Sequence, residues 1–463
     1  MTIEPQRVRP LNEAPPREKA AYVLYWMQQS QRAVHNPALE WAVGEANARD
    51  LPLVVAFGLT DGSSGYPEAN ARHYAFMLEG LAEVAAALEA RGIAFLLARS
   101  APDALALRLA EKAALVVCDR GYLTVQRRWR ERVAKEADCA VVQVEGDVVV
   151  PVETASPKHE YGARTLRPKL HRVWEDYLVP LRQARLRRRA DGLSLPNGLD
   201  AADPEGVLAS LTLDWSVGPV TRFRGGTSRG QARLDTILSG PLDRYEAERN
   251  RPEAGVSTHL SPYLHFGQLS PVSAALAVKA AKRGGAADKA ALLEELIVRR
   301  ELAMNHVFYE PAYDRYAALP EWARKTLDAH AKDERPYLYT RDELEQGRTH
   351  EPYWNAAMRE MRETGYMHNQ LRMYWGKKVL HWSPTPEEGF DTLLAINNKW
   401  FIDGRDANSY TNVGWVFGLH DRPWATRPVF GTVRYQSENS LRKFDAKAYL
   451  KEVERLCAAE AEA

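Results

Sequence analysis

The segment 257–270 reads STHLSPYLHFGQLS, with three hydroxyls (Ser257, Thr258 and Ser261) at the start of a stretch that reads as helix. The free N–H groups and partial positive charge at such a start suit a phosphate. The same residues also suit plain capping, and a lone Ser-Pro would be read that way. Trp375 and Trp382 are seven apart, so on a helix they share one face about 10 Å apart along the axis. Trp354 lies on an earlier segment. Indoles that close can relay electrons, although tryptophans at helical spacing more often fill a core. Asn369, Arg372 and Met373 share the helical stretch of Trp375, and Asp403 lies in the turn FIDGRD. As a surface ion pair, Arg372 and Asp403 would contribute little; buried, they would cost desolvation and make more sense as a fixed charge pattern. In 421–443, Arg422, Arg427, Arg434, Arg442 and Lys443 stand against Asp421 and Glu438, a local net charge of +3. Such a patch contacts phosphates without reading base sequence.

Elements must position these residues. Short apolar, β-branched runs at 21–27, 52–58, 93–98, 114–118 and 140–144 alternate with segments of helical spacing such as 70–91, which Gly92 follows where a C-terminal cap belongs. Continuous apolar strands alternating with helices predict a parallel sheet covered on both faces. No GxGxxG fingerprint occurs there. Residues 151–225 read as a linker, and their basic run LRQARLRRR at 181–189 reads as a solvated helix face. Beyond 226 helical periodicity dominates, with Ser261-Pro262 and Ser270-Pro271 each placing an N-cap serine before a proline. The expectation is a Rossmann-like α/β domain over 1–150, a linker over 151–225 and an all-α domain over 226–463.

Composition narrows the function. The 463 residues are 45% hydrophobic and 27% charged, enough to bury a large core. Sixty-two basic residues against 61 acidic ones leave +1, so nucleic-acid binding cannot come from bulk charge and would need a local patch. Cys118, Cys139 and Cys457 are too scattered for a disulfide scaffold or a CxxC metal site. No secretory signal or membrane span is evident, and a cytoplasmic location is expected.

The 257–270 segment resembles the flavin-binding signature of the photolyase/cryptochrome family. Tyr245 and Arg249 match that signature at the family's spacing. The resemblance continues through EELIVRREL at 294–302, HNQLRMYWGKKVLHW at 368–382, NNKWFIDGRDANSY at 397–410, GWVFGLHDRPW at 414–424 and RPVFGTVRYQSENSLRKFD at 427–445. The last four resemble the class II cyclobutane pyrimidine dimer photolyases. The resemblance implies FAD, active as the anionic reduced form FADH-, held by Tyr245, Ser257, Thr258, Leu260, Ser261, Asn369, Arg372, Asn397, Asp403 and Asp406. It implies an electron relay with Trp375 nearest the flavin, Trp354 next and Trp382 nearest the surface.

It further implies that Glu295, Met373, Asn397 and Trp415 serve repair, with Asn397 near flavin N5, Glu295 on the dimer carbonyls and Trp415 as an aromatic wall. Arg249, Asn250, Arg434 and Lys443 are implied in lesion and DNA contact. Many relatives place a second tryptophan just after the glutamate, where this chain has Val298, Arg299 and Arg300, so a two-sided aromatic clamp is not expected. The implied substrate is UV-damaged DNA containing a pyrimidine dimer, acted on by a monomer. The antenna site is left open between a deazaflavin, a folate and an empty pocket. A light receptor of the same fold and a (6-4) photoproduct enzyme are the rival readings, and no metal site is expected.

Overall fold

A computed structural model describes residues 3–64, 66, 68–437, 439, 441 and 444–462. Its sheet has six strands: β1 (Val8–Pro10), β2 (Tyr22–Trp26), β3 (Leu53–Leu59), β4 (Ala94–Arg99), β5 (Ala113–Asp119) and β6 (Ala140–Val144). Their order is β1-β6-β5-β2-β3-β4, parallel except for β1, which runs antiparallel along β6. The five longer strands match the five apolar runs. Of these, β2, β3 and β5 are buried throughout, as a sheet covered on both faces requires, while β4 and β6 are partly so. The sequence does not announce β1. It is three residues long, ends in Pro10 and leaves two residues exposed, which suits an edge. Helices Pro37–Ala48, Ala71–Ala90, Pro102–Ala110 and Thr124–Glu136 cover the sheet. Asn36 and Asn70 cap the first two through their side-chain oxygens, and Gly92 follows Ala71–Ala90 with φ +72°.

The chain order reverses between β2 and β5, since β2 leads outward to β3 and β4, and β5 leads the other way to β6. Ligands of open α/β sheets bind at the carboxyl ends of strands beside such a switch point. A cavity of about 170 Å³ lies there, lined by Met27 and Gln28 after β2, Leu59 and Thr60 at the end of β3, and Tyr122 and Leu123 after β5. Buried Asp119, the last residue of β5, fixes the loop after β2 beside it. Its carboxylate accepts from the backbone N–H groups of Gln28, Gln29 and Ser30 and from the Tyr25 hydroxyl. Burial pushes its pKa up to about 6 despite those donors.

Residues 151–225 contain helices Val152–Ala155, Ala163–Tyr177 and Pro204–Ser210. Leu166 and Leu170 are fully buried in the same apolar cluster as β2 and β3. The basic run 181–189 is irregular backbone, against the helical expectation. Glu40 accepts from the Ala184 N–H at 2.7 Å, and Asn47 holds Arg185 and Arg187. Side chains of the α/β unit therefore set this backbone, overriding its local helical pattern.

After Val144 no further strand forms among the described residues. Helices of the carboxyl-terminal half bury a second apolar cluster that includes Trp354, Trp375, Trp382, Phe390, Phe401 and Phe417. The halves are pinned together. Arg72 donates to the carbonyls of Trp400 (2.7 Å) and Met361 (3.2 Å), and His73 Nε2 lies 2.7 Å from the Phe401 carbonyl.

Candidate active site

The hydroxyl-rich loop comes first. Ser261 does not cap a helix, contrary to expectation. Leu260 occupies the cap position without a side-chain bond, and Ser261 is the exposed first residue of the five-residue helix Ser261–His265. So short a helix has little dipole, so hydroxyls and loop N–H groups must do more of any phosphate binding. Ser270 does cap, accepting from the Ser273 N–H at 3.3 Å. Arg233 fixes the loop by donating to the carbonyls of Ser257 and Thr258, each at 2.9 Å. Gly267 closes the segment at φ +66°. A Cβ there would sit 2.0 Å from the Gln29 carbonyl oxygen, so only glycine lets this turn reach the loop after β2.

The charged pair comes next. Arg372 meets Asp403 through two contacts, at 3.2 and 3.3 Å, a fork that matches a carboxylate. The guanidinium lies 3.8 Å from the Phe401 ring centre and also donates to the Met367 carbonyl. Asp406 caps the helix Ala407–Val416 through Asn408 and lies 3.2 Å from His265 Nδ1. Burial pushes its pKa up, but the His265 hydrogen bond and charge, with Arg300 beyond, outweigh that and bring it to about 2. Asn397 is buried on the helix Pro386–Trp400, its amide donating to Asn398 Oδ1 at 3.1 Å.

Buried Tyr366 links these groups. It hydrogen-bonds Ser257, its ring lies 4.4 Å from that of His259, and Arg372 is 5.6 Å from its centre. His368 caps the helix Asn369–Trp382 and hydrogen-bonds the Arg249 backbone. Tyr366 and Arg233 were missed by sequence reasoning. Each reaches the site only through the fold, and no local pattern marks them. Asn369 is the exposed first residue of its helix, Met373 is half-buried, and Tyr245 is buried, which pushes its phenol pKa up.

The tryptophans form one file. Trp354, from the helix Pro352–Thr364, stacks on Trp375 at 6.4 Å and 19° and meets Trp382 edge-on at 5.5 Å. Its Nε1 donates to the Trp375 carbonyl. Trp375 reaches Phe401 at 6.1 Å, on whose ring Arg372 lies. The outer end differs from expectation, because Trp382 is only 1% exposed. Tyr339 (5.4 Å) and His350 (5.3 Å) cover it, and half-exposed Tyr337 stacks on His350 at 3.7 Å.

Glu295 lies on a π-helical turn, Glu294–Arg299, within one run of helix between Ala286 and Tyr309. Such turns re-aim side chains and mark functional sites. Glu295 meets Arg249 at 2.6 Å with both side chains about one-third exposed, so its carboxylate faces a guanidinium rather than an apolar wall. Arg299 leaves the same turn to lie 5.6 Å from the ring centre of half-buried Trp415. A cation thus covers one side of the indole where relatives were expected to carry a second aromatic. Asn250 is exposed beside Arg249. On the exposed stretch 422–428, Arg422 and Arg434 both lie over Trp424, at 5.4 and 5.1 Å. Lys443 lies outside the described residues.

The residues fit a flavin. Among the described residues the buried Nδ1 of His259 and Nε1 of Trp375 are left without a partner. Donors left without partners around a fixed Arg–Asp fork suit a polar, planar group. The cavity at the sheet is lined from the helical side by His265 and Asp406, so Asp406, expected on the flavin, faces this cavity.

Comparison with known proteins agrees. Residues 23–187 match the DNA photolyase family, and residues 292–450 match the FAD binding domain of DNA photolyase. A deoxyribodipyrimidine photo-lyase of Methanothermobacter thermautotrophicus is 44% identical over 98% of this chain and 99% of its own length. One from Oryza sativa subsp. japonica is 40% identical over 94% and 88%. A bacterial class III photolyase from Agrobacterium tumefaciens shares the fold, with a TM-score of 0.72 at 20% identity, covering 94% of this chain and 86% of its own. With its parallel-sheet α/β unit, its helical flavin-binding half and relatives matched nearly end to end, this chain belongs to the deoxyribodipyrimidine photo-lyase family.

Proposed function

We propose that this enzyme repairs cyclobutane pyrimidine dimers in DNA under light, and that it is of the class II type, as its four carboxyl-terminal stretches resemble. The observation that carries the reading is the unbroken file Trp382–Trp354–Trp375, which meets Phe401 under the Arg372–Asp403 fork. A buried aromatic path that ends at a fixed charge pair serves electron transfer better than packing alone.

Reduced anionic FAD, when bound, supplies the light-excited electron. Ser257, Thr258, Ser261 and Arg233 hold the pyrophosphate end, and Tyr245, Asn369, Arg372, Asn397 and Asp403 hold the ring end. Arg372 balances negative charge there, while Asp403 fixes the guanidinium's orientation. Trp382, Trp354 and Trp375 carry electrons inward from the surface, entering through Tyr339 and His350. With a proton on its carboxyl, Glu295 exchanges Arg249 for the carbonyls of the flipped dimer, to which it donates, and Trp415, backed by Arg299, flanks it. The dimer accepts one electron, its two cyclobutane bonds open and the electron returns, so no net oxidation occurs. Flipping is cheap for a lesion whose stacking and pairing are already weak, which selects damage without sequence readout. Arg422, Arg427 and Arg434 contact backbone phosphates. The cavity beside β2 and β5 takes the antenna chromophore. The enzyme acts as a monomer.

Oligonucleotides carrying a cyclobutane dimer or a (6-4) photoproduct, assayed side by side in light, test this. Restoration of the first alone is expected. Restoration of the (6-4) product, or of neither, would overturn the lesion assignment.

A further inference from the structure

Three imidazoles from separate parts of the chain converge outside the groups described so far. His159 comes from the stretch before the helix Ala163–Tyr177, His306 from the helix Arg300–Tyr309, and His420 from the turn after the helix Ala407–Val416. One ring nitrogen of each lies within 4.8 Å of those of the other two. His306 is almost wholly buried.

The proton positions can be deduced. His420 Nδ1 lies 2.8 Å from the Tyr161 carbonyl oxygen. A carbonyl oxygen only accepts, so Nδ1 carries the hydrogen and Nε2 presents a lone pair. That Nε2 is buried and has no partner. An imidazole oriented by a carbonyl on one nitrogen, with the other left bare, is the usual second-shell arrangement of a metal-binding histidine. His306 Nδ1 and His159 Nε2 are 3.1 Å apart. For metal–nitrogen bonds of about 2.0–2.1 Å, the edge of a tetrahedron is about 3.3–3.4 Å, so these two nitrogens already stand near a shared edge. His420 holds its place at φ +57°, a left-handed conformation uncommon outside glycine.

We propose that His159, His306 and His420 form a binding site for a divalent cation of borderline softness, Zn²⁺ by the donor set, with its fourth position left to water. Imidazole donors favour such ions over Mg²⁺ or Ca²⁺, which demand oxygen. Arg299 is the cation facing His420, and Glu160 and Glu310 are the carboxylates near His159. The ion fastens the turn after Trp415, whose ring lies 5.7 Å from His420, to the helix run that carries Arg299. It therefore braces the lesion-side wall without touching the flavin residues.

Flavin-loaded protein, stripped with a chelator, is titrated with ZnCl₂ by calorimetry, with MgCl₂ as the control. One equivalent of Zn²⁺ should bind and raise Tm, and Mg²⁺ should do neither. His159→Ala and His420→Ala, each checked for flavin content and far-ultraviolet dichroism, should weaken Zn²⁺ binding at least about tenfold. His420→Gln replaces any variant that fails to fold. If the wild type shows no saturable binding, the cluster is only an imidazole–imidazole hydrogen bond. If folded variants bind as the wild type does, the ion sits elsewhere. Either result overturns the proposal.

Discussion

Glu295 and Glu301 lie six residues apart and follow opposite electrostatics. Glu295 shares a partly exposed ion pair with Arg249, worth about 0–1 kcal/mol, so the pair is easily opened. Glu301 is 2% exposed and accepts from the Val149 and Val150 N–H groups, where the α/β unit ends. Burial outweighs those donors and Arg300, and raises its pKa to about 8. In the unfolded chain the same carboxyl ionises near about 4.3. Between those values only the folded chain holds the proton, so stability falls as pH rises through that window. Urea midpoints should therefore drop between pH 5 and pH 8 in the wild type, and drop much less in Glu301→Gln. Equal slopes in the two proteins would remove Glu301 from this role.

At the scale of elements, the helices Pro352–Thr364 and Asn369–Trp382 build the tryptophan file by interleaving. The seven-residue spacing of Trp375 and Trp382 leaves a gap on one face, and Trp354 fills it from the neighbouring helix. Trp382→Phe should slow photoreduction of oxidised flavin by at least about tenfold, in line with at least about 1.4 kcal/mol of lost coupling. Repair by chemically pre-reduced enzyme should stay nearly intact. If both fell together, Trp382 would belong to the chemistry or the fold rather than the relay.

The spacing of the two tryptophans was legible in the sequence, as were β2 to β6, because period and β-branching are local signals. The cover over Trp382 was not, since Tyr339 and His350 arrive from a separate stretch. The π-helical turn at Glu294–Arg299 leaves no mark in a hydrophobic pattern. Arg233 and Tyr366 join the flavin residues only once distant segments pack. The 181–189 run went wrong for the same reason: side chains of Glu40 and Asn47 decide its backbone. Capping arguments misplaced Ser261, because Leu260 takes the cap position of that short helix.

For the whole molecule, a net charge of +1 hides an uneven distribution. Exposed arginines gather around Trp424 at 422–434, while Arg249 pairs with Glu295 and Arg299 covers Trp415. The cavity at the strand switch point is lined by both halves, and Arg72, His73 and Glu301 lock the α/β unit to the helical half. The arrangement suits weak scanning of any duplex with tight binding only where a base pair is already loosened. The central claim is that light drives repair through the bound flavin. Its most direct measurement is single-turnover repair of a dimer-containing duplex by pre-reduced, flavin-loaded enzyme, split between illumination and darkness. Light-driven repair predicts restored thymines in the illuminated half alone; equal restoration in the dark would contradict it.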